Sequence, residues 1–254
     1  MIMEKSRWNM SDKRILALMY DFYNKHILRD QNKDIDYYID QINKYNAKNI
    51  LIVGAGTGRV AVPLSKYVNI FALDFDSERL EILKTKNEKI NTFCCDFKNF
   101  NSSKKFDLII FPYSTIQFGG DKNKINILLK KLNNVMSERT ICIFDISESF
   151  NNKIEKLNEF LFTDFCNEVQ DQVEVYYSSK KYEDYIEFFI EYKLINTKKS
   201  VIENEKYLYY NQQLFEKALT QNKLKILKID DGYGNGILKH KHLYHCNCEK
   251  KNEL

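Results

Sequence analysis

Proline and glycine are scarce, 2 and 8 residues in a chain of 254. With 44% hydrophobic and 14% aromatic residues, this excludes collagen-like and disordered chains. No apolar run approaches the roughly 18 to 20 residues that cross a bilayer. The start, Met1-Ile2-Met3-Glu4-Lys5, lacks the long apolar segment of a secretion signal. No membrane partner is expected, and the expected location is cytoplasmic. Neither sign of charge dominates, since 39 Lys and Arg face 35 Asp and Glu for a net +4. The basic residues occur in short steps such as Lys104-Lys105 and Lys180-Lys181, which read as solvated surface and give no track for nucleic acid. The six cysteines lie mostly in apolar, strand-like segments and read as reduced core residues, not as a disulfide framework.

What is present is a chain long enough for a sizeable core, with alternating strand and helix patterns. Met10, Ile15, Leu18, Met19, Phe22 and Ile27 fall at near-helical intervals over residues 10 to 29, and a second helical stretch runs from Asp34 to about Tyr45. Residues 1–47 therefore read as an N-terminal helical cap. Residues 48–150 read as strand Asn49 to Val53, a Gly-rich turn and helix Val60 to Tyr67, with Pro63 in its first turns. There follow strand Ile70 to Leu73, helix Ser77 to Lys86 with Ser77 as N-cap and Asp76 as an acid at the helix start, and strands Asn91 to Cys95 and Phe106 to Phe111. Helix Lys122 to Met136 and strand Thr140 to Ile146 close this stretch. Such alternation predicts an α/β fold with a Rossmann-like, doubly wound, mostly parallel sheet.

Residues 151–210 differ in character. Tyr182 to Leu194 alternates with period two, and with Gln172 to Ser178 and Val201 to Tyr209 it predicts an inserted antiparallel sheet. That sheet either covers a cleft or pairs with a second subunit to give a homodimer. Residues 211–254 supply helix Gln212 to Asn222 and strands Lys225 to Ile229 and about His242 to Cys248, which bring the main sheet to seven strands.

The chemistry concentrates at Ile50-Leu51-Ile52-Val53-Gly54-Ala55-Gly56-Thr57-Gly58-Arg59, a buried strand running into a three-glycine turn and then a helix. Glycine permits positive φ and close approach of backbone to a ligand. The dinucleotide pattern G-x-G-x-x-G would need glycine where Arg59 stands, which disfavours a nicotinamide cofactor and an oxidoreductase. Two further acids end the next strands, in Leu73-Asp74-Phe75-Asp76 and Cys95-Asp96-Phe97.

Glycines at alternate positions followed by acids at the ends of successive strands resemble the class I S-adenosylmethionine-dependent methyltransferases, and the resemblance runs through Asp145. It implies S-adenosylmethionine as cofactor, S-adenosylhomocysteine as product, and cofactor contacts from Gly54, Ala55, Gly56, Gly58 and Arg59. It further implies that Asp74 takes the ribose hydroxyls, Phe75 lies beside the adenine, Asp96 meets the adenine amino group, and Phe97 packs on the ring. After the fourth strand, Pro112, Tyr113 and Ser114 would line the methionine end, with Tyr113 and Gln117 near the acceptor. Phe111-Pro112-Tyr113-Ser114 departs from the Asn/Asp-Pro-Pro-Tyr signature of enzymes that methylate base or glutamine amines.

The chain is also similar to small-molecule N- and O-methyltransferases in Tyr20-Asp21, in the Ser114 to Gln117 turn, and in the insertion before Tyr209-Tyr210-Asn211-Gln212. Tyr20 and Tyr23 would close over the cofactor, with Tyr20 among the catalytic candidates. The implied acceptor is a small metabolite such as an amino sugar, an amino acid or a natural-product intermediate. A protein or RNA methyltransferase and a non-catalytic S-adenosylmethionine-binding subunit are the alternatives. Methyl transfer is one in-line displacement, so alignment matters most and no covalent nucleophile is needed; no single residue identifies itself as the base. The tail His240-Lys241-His242-Leu243-Tyr244-His245-Cys246-Asn247-Cys248 carries imidazoles and thiols. Its Cys-x-Cys is too short for a zinc signature, so a last strand is expected there, no metal, and a flexible turn at Gly232, Gly234 and Gly236.

Overall fold

The computed structural model describes residues 10–27, 33–119, 121–234 and 241–248. Its main sheet has seven strands: β1 (Asn49–Val53), β2 (Asn69–Asp74), β3 (Asn91–Cys94), β4 (Leu108–Phe111), β5 (Ile141–Ser147), β10 (Leu224–Asp231) and β11 (Lys241–Cys248). They lie in the order β10-β11-β5-β4-β1-β2-β3. β1 to β5 pair in parallel, and β11 runs antiparallel to both β5 and β10. The helices are α1 (Asp12–Ile27), α2 (Lys33–Lys44), α3 (Ala61–Leu64), α4 (Ser77–Lys86), α5 (Lys122–Val135) and α6 (Gln212–Gln221). Among the described residues no helix is long and apolar enough to cross a membrane.

β1, β4 and β5 are near-continuous apolar runs because helices cover both faces of the sheet. Leu51 and Val53 point into a core with Phe111, Phe144, Leu129 and Phe215. Ile50 and Ile52 point the other way, onto Tyr38, Leu64 and Leu83. The chain leaves β1 toward β2 and β3, then returns to β4 on the other side, so the C-terminal ends of β1 and β4 flank the point where strand order reverses. In doubly wound sheets, ligands bind in the crevice at that point.

The insertion is a four-stranded antiparallel sheet, β6 (Lys156–Cys166), β7 (Asp171–Lys181), β8 (Tyr185–Leu194) and β9 (Lys199–Leu208), in sequence order. One face packs on α1, where Ile15, Met19 and Phe22 meet Val173, Val175, Ile190 and Tyr192. Its two ends are clasped: the Asn151 amide donates to the Tyr210 carbonyl at 2.7 Å and accepts from the Tyr210 N–H at 2.8 Å.

Three elements differ from the sequence-based expectation. The helix expected over Val60 to Tyr67 stops at Leu64, continuing only as turns, and Pro63 inside it has no N–H to donate. Asp76, not Ser77, caps α4, its carboxylate accepting from Glu78 N at 2.9 Å and Arg79 N at 3.2 Å. β6 was not anticipated. Its pairing with β7 shifts register at Lys156/Glu159 and Phe160/Phe162, and such bulges break the period-two pattern that betrays a strand.

Asp171 is fully buried and holds the β8–β9 turn, accepting from Asn196 N at 2.8 Å, Thr197 N at 3.0 Å and the Thr197 hydroxyl at 2.9 Å. Asp171→Ala leaves these donors unsatisfied and is expected to cost about 1–3 kcal/mol, read as a lower urea midpoint with an unchanged slope.

Candidate functional site

The glycine turn is built as its residues require. Gly54, Gly56 and Gly58 have φ of 72°, 53° and 90°. The N–H groups of Gly54 and Ala55 both donate to the Leu73 carbonyl, at 2.8 and 3.0 Å, pinning the turn to the end of β2. A Cβ on Gly54 would lie 2.6 Å from Thr115 Cγ2, so only glycine lets the β1 and β4 ends approach this closely. Asp74 is buried beside the turn; its Oδ2 accepts from Gly56 N at 2.7 Å and its Oδ1 from Asp76 N at 2.9 Å. Burial raises the Asp74 pKa, opposed by those two backbone hydrogen bonds. Phe75 is 62% exposed and stacks on Phe118.

Asp96 follows β3, half-exposed, accepting from Lys98 N at 3.0 Å and paired with the Lys98 ammonium at 3.2 Å. Phe97 is buried in the core against Phe100 and Phe111. After β4, Pro112 leads into Tyr113 and Ser114, which both adopt positive φ, 52° and 61°. Consecutive non-glycine residues in this region are strained and persist only where neighbours hold them. The holder is Asp145 on β5, fully buried, which accepts from Tyr113 N at 2.9 Å and from the Tyr233 hydroxyl at 2.7 Å. Lys241 pairs with Asp145 at 3.0 Å and reaches the Ser114 hydroxyl at 3.4 Å.

Gln117, expected near the acceptor, is a tie between strands. Its Nε2 donates to the carbonyls of Ser147 at 3.0 Å and Leu208 at 2.9 Å, and its Oε1 accepts from Ser147 N at 2.8 Å. Its amide is thereby saturated with backbone.

A cavity of about 380 Å³ opens between the strand ends, α1 and the inner face of the insertion, and Tyr20, Tyr23, Arg59, Tyr113 and Ser114 all line it. Gly54, Gly56 and Asp74 lie outside its lining, for Tyr20 covers the turn: its Cε1 is 3.6 Å from where a Gly56 Cβ would be. Asp21, next along α1, accepts from the Thr57 hydroxyl at 2.6 Å and pairs with Lys86, fastening the helix to the glycine turn. The guanidinium of Arg79 sits 4.6 Å above the Tyr20 ring and pairs with Glu203 on β9, so one side chain joins cap, core and insertion. Arg59 is held by both oxygens of Asp34 and, like Lys241, lies over the Tyr113 ring.

Glu203, Glu205, Arg79, Lys241 and Tyr233 were not singled out from sequence, nor was a role given to Asp145. The signal for the two glutamates was parity: Glu203 and Glu205 alternate in step with inward Val201 and Tyr207 on β9. Burial, then the charge of Glu203, push Glu205 up to about 7, and burial raises the Tyr20 hydroxyl. In the tail, His245 is buried between the hydroxyls of Tyr37 and Tyr45, and burial holds its pKa down to about 3. His242 pairs with Asp231 and Glu148, while Cys246 lies in the core on the opposite face from His245. His240 and Gly236 lie outside the described residues.

Residues 50–139 match the family described as a methyltransferase domain. The fold is similar to that of an S-adenosylmethionine-dependent methyltransferase from Clostridium acetobutylicum, with a TM-score of 0.79 and 21% identity over 91% of this chain and 98% of that one. A sugar N-methyltransferase from a Streptoalloteichus species gives 0.74 at 11% identity, over 91% and 93%. An amino pentose methyltransferase of calicheamicin biosynthesis from Micromonospora echinaspora gives 0.70 at 12%, over 91% and 96%. In sequence, the chain is 41% identical over 75 residues to a tRNA1(Val) (adenine(37)-N6)-methyltransferase from a Flavobacteriaceae bacterium. That match covers 26% of this chain, which thus spans about a third (32%) of the relative's length.

Glu205 supplies a stability test. Its folded pKa, about 7, lies above the ordinary 4.5, so as pH rises the unfolded chain releases this proton first and native stability falls between those values. Glu205→Gln removes the penalty. Its melting temperature is expected to exceed that of the parent chain above about pH 7, and the gap to close toward about pH 5, in calorimetric scans across that range.

Proposed function

We propose that this chain, whose residues 50–139 carry a methyltransferase domain, moves the methyl group of S-adenosylmethionine to a nitrogen or oxygen of a small metabolite. The observation that carries this reading is the turn of three positive-φ glycines closed against a buried acid, Asp74, at the reversal of strand order.

The donor set fits the cofactor. A carboxylate offers about four lone-pair sites, and Asp74 spends one on each of two backbone N–H groups, leaving capacity for two ribose hydroxyls. The exposed Phe75 ring, braced by Phe118, offers a face to adenine, with Asp96 beyond it for the adenine amino group. Phe97, sunk in the core, would support this wall from behind. The glycine turn would receive the methionine end, with Pro112, Tyr113 and Ser114 opposite.

When bound, the sulfonium supplies an activated methyl carbon. The chain's own residues align the acceptor and exclude water: Tyr20 and Tyr23 roof the site from α1, and Asp145 with Lys241 fixes the Tyr113–Ser114 turn that faces the acceptor. Gln117 acts by holding β5 to β9.

A cavity walled by the core, α1 and the insertion supports a small acceptor, in keeping with the amino pentose and sugar substrates named for two of the structural neighbours. An RNA acceptor is the second reading, favoured by the stretch similar to the tRNA enzyme. Against it stand Phe111-Pro112-Tyr113-Ser114 in place of the base-methylating signature and the lack of a basic track. A homodimer through the insertion would use its exposed Phe160, Phe165 and Ile202.

Isothermal titration with S-adenosylhomocysteine tests the reading. Binding is expected, and Asp74→Ala is expected to weaken it about 100-fold, two hydrogen bonds to a charged group being lost. NAD should not bind. A folded chain that ignores the adenosyl compound overturns the proposal.

A further inference from the structure

Most of the charges that face the large cavity are balanced in pairs. Asp34 holds Arg59, Asp145 holds Lys241, and Arg79 holds Glu203. Glu205 accepts a hydrogen bond from the Tyr207 hydroxyl at 3.1 Å, and among the described residues it makes no ion pair; Lys153, also on the lining, is exposed and forms none with it. Arg79 also acts on Glu205, but that one guanidinium then serves two carboxylates, Glu203 and Glu205, and the negative charge left over beside the cavity is offset by any cation that enters. The surroundings suit one kind of cation. Tyr20, Tyr23, Tyr113, Tyr177, Phe188 and Tyr207 form the walls, and aromatic faces attract ammonium groups.

We infer that Glu205 binds the methyl acceptor and takes its proton, and that the acceptor is a primary or secondary aliphatic amine arriving as its ammonium ion. This rests on the methyltransferase reading above. An ammonium R–NH3+ cedes one proton to the Glu205 carboxylate, which leaves a lone pair on nitrogen. That pair forms the N–C bond to the methyl of the sulfonium donor while the S–C bond breaks and its electron pair returns to sulfur. The product is a methylated ammonium, and the Glu205 proton passes to solvent. Burial and Glu203 push Glu205 up to about 7, toward the roughly 10 of an aliphatic amine, which eases that transfer; an alcohol is far too weak an acid to cede its proton to a carboxylate. Glu205 pairs across the ladder with Phe188, so the carboxylate sits within the aromatic wall itself.

The test compares cyclohexylammonium with cyclohexanol, probes of nearly equal shape, titrated calorimetrically into the full chain with and without S-adenosylhomocysteine. Cyclohexylammonium is expected to bind about tenfold more tightly or better. In Glu205→Gln the preference should vanish, while S-adenosylhomocysteine affinity stays within about twofold of the parent chain. Equal affinities in the parent chain, no detectable binding of the ammonium, or a preference that survives in Glu205→Gln would overturn the assignment. The two proposals fail separately. Adenosyl binding without ammonium preference sinks Glu205 and leaves the methyltransferase reading; ammonium preference without adenosyl binding sinks the methyltransferase reading and the proton-transfer role with it, and leaves Glu205 only as an ammonium site.

Discussion

The site depends on the carboxylate of Asp145. It lies at the end of β5 with no solvent exposure, where an unpaired charge would be severely penalised. Three donors converge on it: the Tyr113 N–H, the Tyr233 hydroxyl and the Lys241 ammonium. Each belongs to a different stretch of chain, so one buried charge joins the turn after β4, the turn after β10 and the start of β11. It also holds two consecutive residues in a conformation they would otherwise leave. The Tyr113–Ser114 turn on the cavity wall is therefore set by a buried ion pair in the core and not by the turn's own preferences.

The insertion and α1 work as one cover. The apolar face of the inserted sheet is filled by α1, and α1 is fastened in turn to the glycine turn through Asp21, Thr57 and Lys86. Arg79 closes the circuit by touching Tyr20 and Glu203 together. Such a cover walls the cavity on the side away from the strand ends, and it carries there side chains the core could not supply. Two of these are glutamates on the inward face of β9, where burial raises the pKa of both.

What the sequence made legible was local. A strand and three alternating glycines are contiguous, and the acid that ends the next strand follows Gly56 by only 18 residues. The middle of the main sheet was legible because β1, β4 and β5 are buried on both faces and read as near-continuous apolar runs. β6 was not, since its bulges at Lys156/Glu159 and Phe160/Phe162 scramble the alternation. Asp145, Lys241 and Tyr233 acquire their roles only when distant segments meet, 88 to 96 residues apart in sequence. Gln117 was placed near the acceptor by proximity to the fourth strand, but an amide side chain can also bridge strands, and packing chose the bridge. The same holds for Phe97, whose ring goes to the core, and for the cap of α4, where Asp76 outcompetes its serine neighbour.

The clasp between Asn151 and Tyr210 has a consequence for how such a protein can change. One amide, bonded in both directions to a single peptide unit, brings the departure and return of the insertion side by side. To the sheet beneath, the whole of residues 152–209 is a short loop, because the entropy of closing it is met at that junction and grows only slowly with the length beyond it. The four strands above can lengthen, shorten or be exchanged for another graft without disturbing the order of the seven below. The side chains that the graft lends to the cavity wall are thereby free to diverge faster than the sheet that carries it.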